Sequence, residues 1–222
     1  ASTFRPALKG KEKLFLCGPA ATPDADDLLL PLAKEAKAQN IKHVVCIASY
    51  KKVMDYLEES GMNYTLVRGN FFMQNFEMYQ TEDIRDRNEI FMPTGKGKAP
   101  FVHTRDIGEV AAVALEHPEK YNEDNLYVTG PEALDHFQAA DIFSEVLGRK
   151  IEYKNPDDDT YRKVMKERGF SNDYIEAMIK VFGMIRQGKV AQTSYTVEEV
   201  LGRKPIPLRE YVEETKDHFS GS

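Results

Sequence analysis

The amino-acid sequence predicts an α/β protein with a parallel sheet and a small C-terminal helical lobe. Through the first 155 residues, short apolar runs of strand length alternate with segments whose apolar residues recur at helical spacing. This alternation is typical of strand–helix–strand units in a parallel sheet. After residue 155 helical patterns dominate. We therefore predict two domains, an α/β core at 1–155 and a helical lobe at 156–222.

Composition excludes several classes of protein. The 222 residues, 41% of them hydrophobic, suffice for one domain or one domain plus a lobe. The net charge of −6 comes from interspersed acidic and basic residues without a basic stripe, which argues against a nucleic-acid surface. No apolar run has membrane-spanning length. Cys17 and Cys46 lie in apolar runs, where we expect buried, reduced thiols. The sequence therefore predicts a soluble cytoplasmic protein without membrane or nucleic-acid partners.

Each predicted element follows from its own pattern. Buried strands are expected at 13–17, 43–49, 64–67 and 125–130, and two short strands joined by a turn at 89–92 and 100–103. Capping-box patterns begin helices at Asp106 and Asp135, and Gly148 ends the second of these. Another helix is predicted to begin near residue 22 and to end near residue 40. Further helices are predicted at 50–60, 160–168, 173–186 and 208–219, and a capping box at 196–199 begins one more.

The stretch 64–76 is the best candidate for a site. Its strand leads into Arg68 and an aromatic turn, and ligands of open parallel sheets bind at the carboxyl ends of strands. Arg68 suits either a carboxylate or phosphate ligand or a structural ion pair. One interpretation is a pocket that holds a planar ring and forms amide hydrogen bonds with it, built from Asn70, Phe71, Phe72 and Asn75. The other interpretation is that Phe71 and Phe72 belong to the core.

The run 59–75 also resembles the NmrA-like family, atypical relatives of the short-chain dehydrogenases that include quinone reductases and nicotinamide-sensing regulators. Four more segments resemble the family in the same order, at 41–45, 101–107, 128–134 and 145–149. The chain departs from the family at Gly69, where most members have Pro, and at His103, where relatives typically have Asp. The resemblance implies a truncated Rossmann-like sheet. It also implies an NAD(P)H-dependent oxidoreductase or dinucleotide-sensing protein that acts on a small aromatic or quinone-like molecule.

The resemblance implies NAD(P)H as the cofactor, with Gly18, Pro19 and Ser49 as cofactor-binding positions after strand ends. However, the sequence contains no G-x-G-x-x-G fingerprint, whose glycines let the backbone approach a pyrophosphate. We therefore expect the chain as printed to bind NAD(P)H weakly or not at all. The alternative is a cofactor-free descendant that binds an apolar small molecule, either as an isomerase- or cyclase-like enzyme or as a binding or regulatory module.

Three side chains are candidates for catalysis. Tyr50 and Lys51 follow a strand end, where a Tyr/Lys pair can polarise a carbonyl and donate a proton. Because the two are adjacent, their side chains diverge, and a helix start with a solvated lysine is the favoured interpretation. His103 is the third candidate, although a lone histidine is usually a satisfied or partly exposed residue. The five histidines show no metal-ligand spacing, so no metal is expected.

The resemblance further implies that strand 13–17 would pair with a strand absent from the printed sequence. An unpaired, apolar edge is a template for pairing with another chain. We expect homodimerisation through this edge, or an N-terminal segment at 2–9 folded over it. A separate chain that supplies the missing strands is a further possibility.

Overall fold

A computed structural model describes residues 3–18, 25–47 and 50–220. In chain order its elements are α1 Phe4–Leu8, β1 Lys13–Leu16, α2 Ala25–Ala38, β2 His43–Ile47, α3 Lys51–Ser60, β3 Tyr64–Gly69, α4 Gln74–Arg87, β4 Glu89–Phe91, α5 Thr104–Glu116, α6 Pro118–Tyr121, β5 Asp124–Val128, α7 His136–Leu147, β6 Glu152–Lys154, α8 Asp158–Glu167, α9 Asn172–Arg186, α10 Thr196–Leu201 and α11 Leu208–Phe219.

Two compact units make up the chain. The first, here called the sheet unit, comprises Ala1–Gly69, Ile107–Val128 and Thr196–Gly202. The second, here called the aromatic unit, comprises Asn70–Asp106, Thr129–Tyr195 and Arg203–Ser222. Each unit therefore draws on several segments of the chain. The contiguous domains at 1–155 and 156–222 stay a prediction.

The sheet unit contains the predicted parallel sheet, in the strand order β1-β2-β3-β5. Leu16 lies beside Cys46, and Cys46 beside Leu66, so apolar side chains continue from strand to strand across one face. These residues form one cluster with buried positions of α2 and α3, including Ala33 and Leu57. The α/β class predicted from the alternating pattern is confirmed, as is the Rossmann-like character that the family resemblance implies.

The β1 strand lies at one end of this sheet. Among the described residues it pairs with β2 alone, and the Phe15 side chain is 44% exposed. The segment before β1 forms α1, which packs against α2 with Leu8 buried and with Arg5 3.4 Å from Glu35. Within the described chain, no strand pairs with the outer edge of β1.

The two cysteines differ in exposure. Cys46 is buried, as predicted, but Cys17 is exposed, so the prediction of two buried thiols is wrong for Cys17. Cys17 directly follows Leu16, the last residue of the edge strand β1. Both are free cysteines.

The aromatic unit differs from the prediction in its strands. The strand predicted at 89–92 is present as β4 and pairs in parallel with β6, but the prediction of a strand at 100–103 is wrong. Val102 forms an isolated bridge to Phe72, and Ala99 forms one to Leu134. A strand at 152–154 was not predicted; its three residues are too short for an alternating pattern to stand out.

Helix α4 was also not predicted. Its buried positions are Phe76, Gln80, Asp83 and Ile84, which lie at helical spacing, but two of the four are polar. Asp83 is 1% exposed and pairs with both Arg87 and Arg168. The buried face of α4 is therefore held by ion pairs as well as apolar contacts, and an apolar pattern alone does not detect it.

Helix caps test the predictions most directly. Asp135 and Gln138 form the predicted capping box of α7, and Gly148 ends that helix with a φ of 67°. The capping role predicted for Asp106 is wrong. Its buried carboxylate accepts a hydrogen bond from the Ile206 backbone N–H at 2.9 Å. The Arg203 guanidinium lies 2.7 Å away as an ion pair that is not aligned as a hydrogen bond.

Three buried polar side chains form a hydrogen-bonded network in the core of the aromatic unit. The Thr94 hydroxyl lies 2.8 Å from Nδ1 of His136 and 2.8 Å from the Tyr153 hydroxyl. His136 is fully buried against the rings of Phe71 and Phe101. Burial lowers the pKa of His136 to about 3, so its ring is neutral at physiological pH.

Candidate functional site

The aromatic turn after β3 leads directly into α4. Asn70 fixes its first residues, because its Oδ1 accepts a hydrogen bond from the Phe71 N–H at 2.9 Å and its Nδ2 donates to the Val190 carbonyl at 2.7 Å. Phe71 is 7% exposed and belongs to the main core cluster. Phe72 is half-buried and forms the bridge to Val102. The turn thus contributes the Phe71 ring to the core, while the backbone of Phe72 forms the bridge.

A narrow crevice lies beside this turn, entirely within the aromatic unit. Its volume is about 20 Å³, enough for about one water molecule. Two of the predicted ring-pocket residues, Phe71 and Asn75, line it; Asn70 and Phe72 do not. The remaining lining consists of Tyr79, Gln80, Met92, Tyr161, Met165, Tyr174, Met178 and Phe182.

Two helices supply half of this lining. Tyr161 and Met165 lie four residues apart on α8, and Tyr174, Met178 and Phe182 follow at intervals of four on α9. This spacing places the side chains of each helix on one face. None of these five residues was predicted from the sequence as a site residue. A tyrosine four residues before a methionine on each helix is the pattern that could have found them.

The polar groups of the crevice differ in how they are satisfied. Gln80 accepts a hydrogen bond from the Phe91 N–H at 2.9 Å, and the Tyr174 ring packs against that of Tyr79 with centroids 5.9 Å apart. Tyr161 is 3% exposed, yet its hydroxyl has no hydrogen-bond partner within the described ranges. The Asn75 carboxamide likewise has no partner there. Burial raises the pKa of Tyr161 to about 12.

Helices α8 and α9, with the turn at 168–171 between them, form a helical hairpin, here called the α8–α9 hairpin. Two of its arginines form ion pairs of different kinds. Arg168, directly after α8, forms a two-bonded pair with the buried Asp83 of α4 at 2.7 and 2.8 Å. Arg162 pairs instead with Glu176, at 2.6 and 3.1 Å, and so connects α8 with α9. The Arg168 pair therefore joins the hairpin to α4, and the Arg162 pair stays within the hairpin.

In the sheet unit, the structure brings together two predicted site residues, Gly18 and Tyr50. The Tyr50 hydroxyl donates to the Gly18 carbonyl at 2.6 Å and accepts from the Gly18 N–H at 3.0 Å. A Cβ at position 18 would lie 2.7 Å from Leu29 Cδ1, so a side chain there requires Leu29 to move. Burial raises the pKa of Tyr50. The predicted positions Pro19 and Ser49 lie outside the described residues.

Two further predicted residues of the sheet unit have surface partners. Lys51 pairs with Asp55 at 2.9 Å on the exposed side of α3, and this pairing raises the pKa of Lys51. Arg68 donates from Nε to Asn125 Oδ1 at 2.8 Å. The partner of Arg68 is thus a neutral amide on the neighbouring strand β5.

His103 lies at the start of α5. Its Nδ1 accepts a hydrogen bond from the Arg105 N–H at 2.9 Å, so the imidazole satisfies one of the free N–H groups of the first helical turn. Its Nε2 lies 3.1 Å from Gln74 and 4.0 Å from Glu214. Burial, and secondarily the Arg105 charge, lower the pKa of His103. The structure therefore gives this side chain a helix-capping contact.

A dinucleotide site of this fold needs glycines where the backbone approaches a pyrophosphate, and the described glycines have other roles. Gly61 and Gly148 end helices in the left-handed conformation. Gly97 packs on the backbone of α9, because a Cβ there would lie 2.1 Å from the Ile185 carbonyl oxygen. Within residues 3–18, 25–47 and 50–220, no glycine-rich turn leads into a helix N-terminus. These residues do not provide a pyrophosphate site.

Two other kinds of site were also sought in the part of the chain that the structure describes. No group of three or more His, Cys, Asp or Glu side chains there lies close enough to hold a metal ion. None of its helices has the length and apolar character needed to span a bilayer.

Comparisons with known proteins agree on one family. A model of the NmrA-like family matches residues 30–212. An NAD(P)H azoreductase of Xenophilus azovorans is 32% identical, over 97% of this chain and 78% of the azoreductase. An uncharacterized oxidoreductase of Bacillus subtilis (strain 168) is 30% identical, over 95% of this chain and 77% of its own length.

A solved structure extends the likeness to the fold. An NADPH-dependent quinone oxidoreductase from Escherichia coli, crystallised with NADPH, superimposes with a TM-score of 0.86 at 18% identity, over 97% of this chain and 80% of that one. At this identity the likeness concerns the fold alone. The family match and the two sequence relatives together establish that the chain belongs to the NmrA-like family.

Proposed function

We propose that this chain takes part in the NAD(P)H-dependent reduction of a small aromatic or quinone-like molecule. The observation that carries the proposal is the crevice of the aromatic unit, whose walls are rings and methionines and which includes Phe71 and Asn75 from the predicted turn. Apolar walls with a few polar groups are the usual composition of a small-molecule site. The names of the relatives, an azoreductase and a quinone oxidoreductase, support the same substrate class.

The cofactor would supply the hydride, and we propose NAD(P)H because the family relatives use it. The described residues do not provide a pyrophosphate site, so we expect the 222-residue chain to bind NADPH only weakly, with a dissociation constant of about 1 mM or above. Calorimetric titration of the chain with NADPH tests this expectation. Saturation at micromolar NADPH would contradict it.

We propose different roles for the three candidate catalytic side chains. Both the hydrogen and the acceptor capacity of the Tyr50 hydroxyl are used on Gly18, which favours a role in fixing the end of β1. Nδ1 of His103 caps a helix and its Nε2 lies within hydrogen-bond distance of Gln74, which favours a structural role for this ring as well. Lys51 points to solvent with Asp55 and is the weakest of the three candidates.

The activity test is the consumption of NADPH at millimolar concentration in the presence of 1,4-naphthoquinone. Because quinones add to exposed thiols, a Cys17→Ser background removes that side reaction. We expect a rate that saturates with quinone, exceeds the rate without protein and falls in Asn75→Leu. An NADPH consumption rate equal to the protein-free rate at every quinone concentration contradicts the proposal.

We also propose that the outer edge of β1 pairs with a second copy of this chain. The support is the strand's single described partner, β2, together with the exposed Phe15. Sedimentation at micromolar concentration should give a dimer, and Leu14→Lys should shift it to monomer. A monomer in which the Phe15 and Leu16 amides exchange rapidly with solvent contradicts this pairing.

A further inference from the structure

We propose that the crevice binds a planar aromatic molecule carrying a hydrogen-bond acceptor such as a carbonyl, and that the α8–α9 hairpin is the lid that moves to admit it. The choice of ligand rests on the proposed function. The location of the site and the identity of its lid rest on the geometry of the aromatic unit.

The first step concerns the two unpaired polar groups. Tyr161 is 97% buried as a residue, but its hydroxyl oxygen is not itself fully buried and has no described partner, so it is open to the crevice that the residue lines. The Asn75 carboxamide, also without a described partner, lines the same crevice. A phenol O–H and an amide N–H are both donors. A ligand oxygen within the crevice can therefore accept from Tyr161 and from Asn75.

The second step concerns the walls. The crevice is lined by the rings of Phe71, Tyr174 and Phe182 and by the thioethers of Met165 and Met178. Aromatic rings and methionine sulfur both make favourable contacts with a flat π system. No charged side chain belongs to the lining in the described chain. The walls thus favour a neutral, flat ligand over an anion or a cation.

The third step concerns access. A volume of about 20 Å³ holds about one water molecule and is far too small for a ring. Half of the lining comes from α8 and α9, which pack more extensively against each other than against any other element. Because α8 and α9 form one hairpin, it is the part of the lining that we propose moves as a unit, a movement that would also have to break the contacts of Arg186 with the Pro93 carbonyl and of Gly97 with the backbone of α9. The Asp83–Arg168 pair links it to α4 in the closed arrangement.

Coumarin is a suitable probe because it is flat, carries a carbonyl and, unlike a quinone, does not require the Cys17→Ser background. The full chain is titrated with coumarin by calorimetry without nicotinamide. We expect saturable binding that Tyr161→Phe weakens about fivefold, the typical effect of one lost hydrogen bond. Asn75→Leu should weaken it by a similar factor. Tyr195→Phe, a change at an exposed tyrosine, is the matched control and should bind as the parent does.

Two results overturn the site. One is the absence of saturable coumarin binding up to the solubility limit. The other is binding to Tyr161→Phe and Asn75→Leu with the parent affinity. The Tyr161→Phe variant keeps its ring contacts with Phe91 and Phe182 and loses no described hydrogen bond, so we expect it to fold. Its urea midpoint provides the check.

The lid is tested by hydrogen exchange. Saturating coumarin should slow exchange of the α9 amides at least threefold. Arg168→Met should speed their exchange in the free protein by a similar factor, because it removes the link to Asp83. Arg162→Met removes an arginine of the same helix whose pairs stay within the hairpin, and should have the smaller effect. Unchanged α9 exchange on coumarin binding overturns the lid.

The two proposals fail separately. A chain that binds coumarin in a Tyr161-dependent manner but never consumes NADPH keeps the crevice site and loses the reductase function. If the parent and Tyr161→Phe reduce 1,4-naphthoquinone at equal rates, the reductase function stands and the crevice site is contradicted.

Discussion

The two units differ in whether their candidate polar side chains already have partners. In the sheet unit, Tyr50 is bonded to Gly18, Lys51 to Asp55 and Arg68 to Asn125. In the aromatic unit, Tyr161 and Asn75 line a crevice without described hydrogen bonds. Side chains whose hydrogen-bonding groups are already used have less capacity left for a ligand than side chains whose groups are unused. This difference is the reason we propose the aromatic unit as the place where a ligand binds.

The largest effect should come from the core beside the crevice. Phe76 is fully buried, with ring centroids 5.4 Å from Phe101 and 5.0 Å from Phe143. Phe76→Ala should lower the free energy of unfolding by about 3–5 kcal/mol. Phe72→Ala, at a half-buried ring, should cost clearly less. Urea unfolding compares the two, and an equal loss would show that the turn is core throughout.

Acid should destabilise the aromatic unit next most strongly. The ordinary pKa of histidine is 6.5, and burial lowers that of His136 to about 3. Below pH 6.5 the unfolded chain takes up a proton that folded His136 does not, so stability falls as pH falls. Between pH 6.5 and 4.5 this contributes a loss of about 2 kcal/mol.

Unfolding curves across this pH range measure the effect. His136→Gln should reduce the slope of stability against pH, although it also removes a partner of Thr94. His117→Gln, at an exposed histidine, is the control and should leave the slope unchanged. A slope that is the same in the parent and in His136→Gln would contradict the buried, neutral state of this ring.

The smallest effect should come from Lys51, whose partner Asp55 lies on the surface. Exposed ion pairs contribute little to stability. Lys51→Ala should leave both the urea midpoint and the rate of NADPH consumption unchanged. If Lys51→Ala instead lost most of its activity while its fold was unchanged, the catalytic residues would have to be sought in the sheet unit, near the end of β2.

The sequence predicted those parts of the fold that have an uninterrupted apolar pattern. The strands β1, β2, β3 and β5 are short apolar runs, and α9 and α11 carry regular apolar stripes. Helix α4 escaped prediction because Gln80 and Asp83 occupy two of its buried positions. Strand β6 pairs with a segment 63 residues earlier in the chain, and local sequence carries little information about such pairing.

The candidate site was predictable only in part, for a related reason. Phe71 and Asn75 were found because they follow a strand end, where ligand sites are expected. Tyr161 and Tyr174 come from helices roughly 90 residues later, and only the tertiary fold brings them to Phe71. The partners of Tyr50 and Arg68 depend in the same way on neighbouring strands.

The most direct measurement compares two tyrosines that are almost equally buried, at 5% and 3% exposure. Urea unfolding is recorded for Tyr50→Phe and Tyr161→Phe, each with and without coumarin. Tyr50→Phe should lose about 1–3 kcal/mol, because it leaves the Gly18 N–H and carbonyl without their partner, and coumarin should still stabilise it. Tyr161→Phe should match the parent without coumarin and gain less stability than the parent from coumarin. Equal losses in the two variants, with equal gains from coumarin, would contradict the assignment of the ligand site to the aromatic unit.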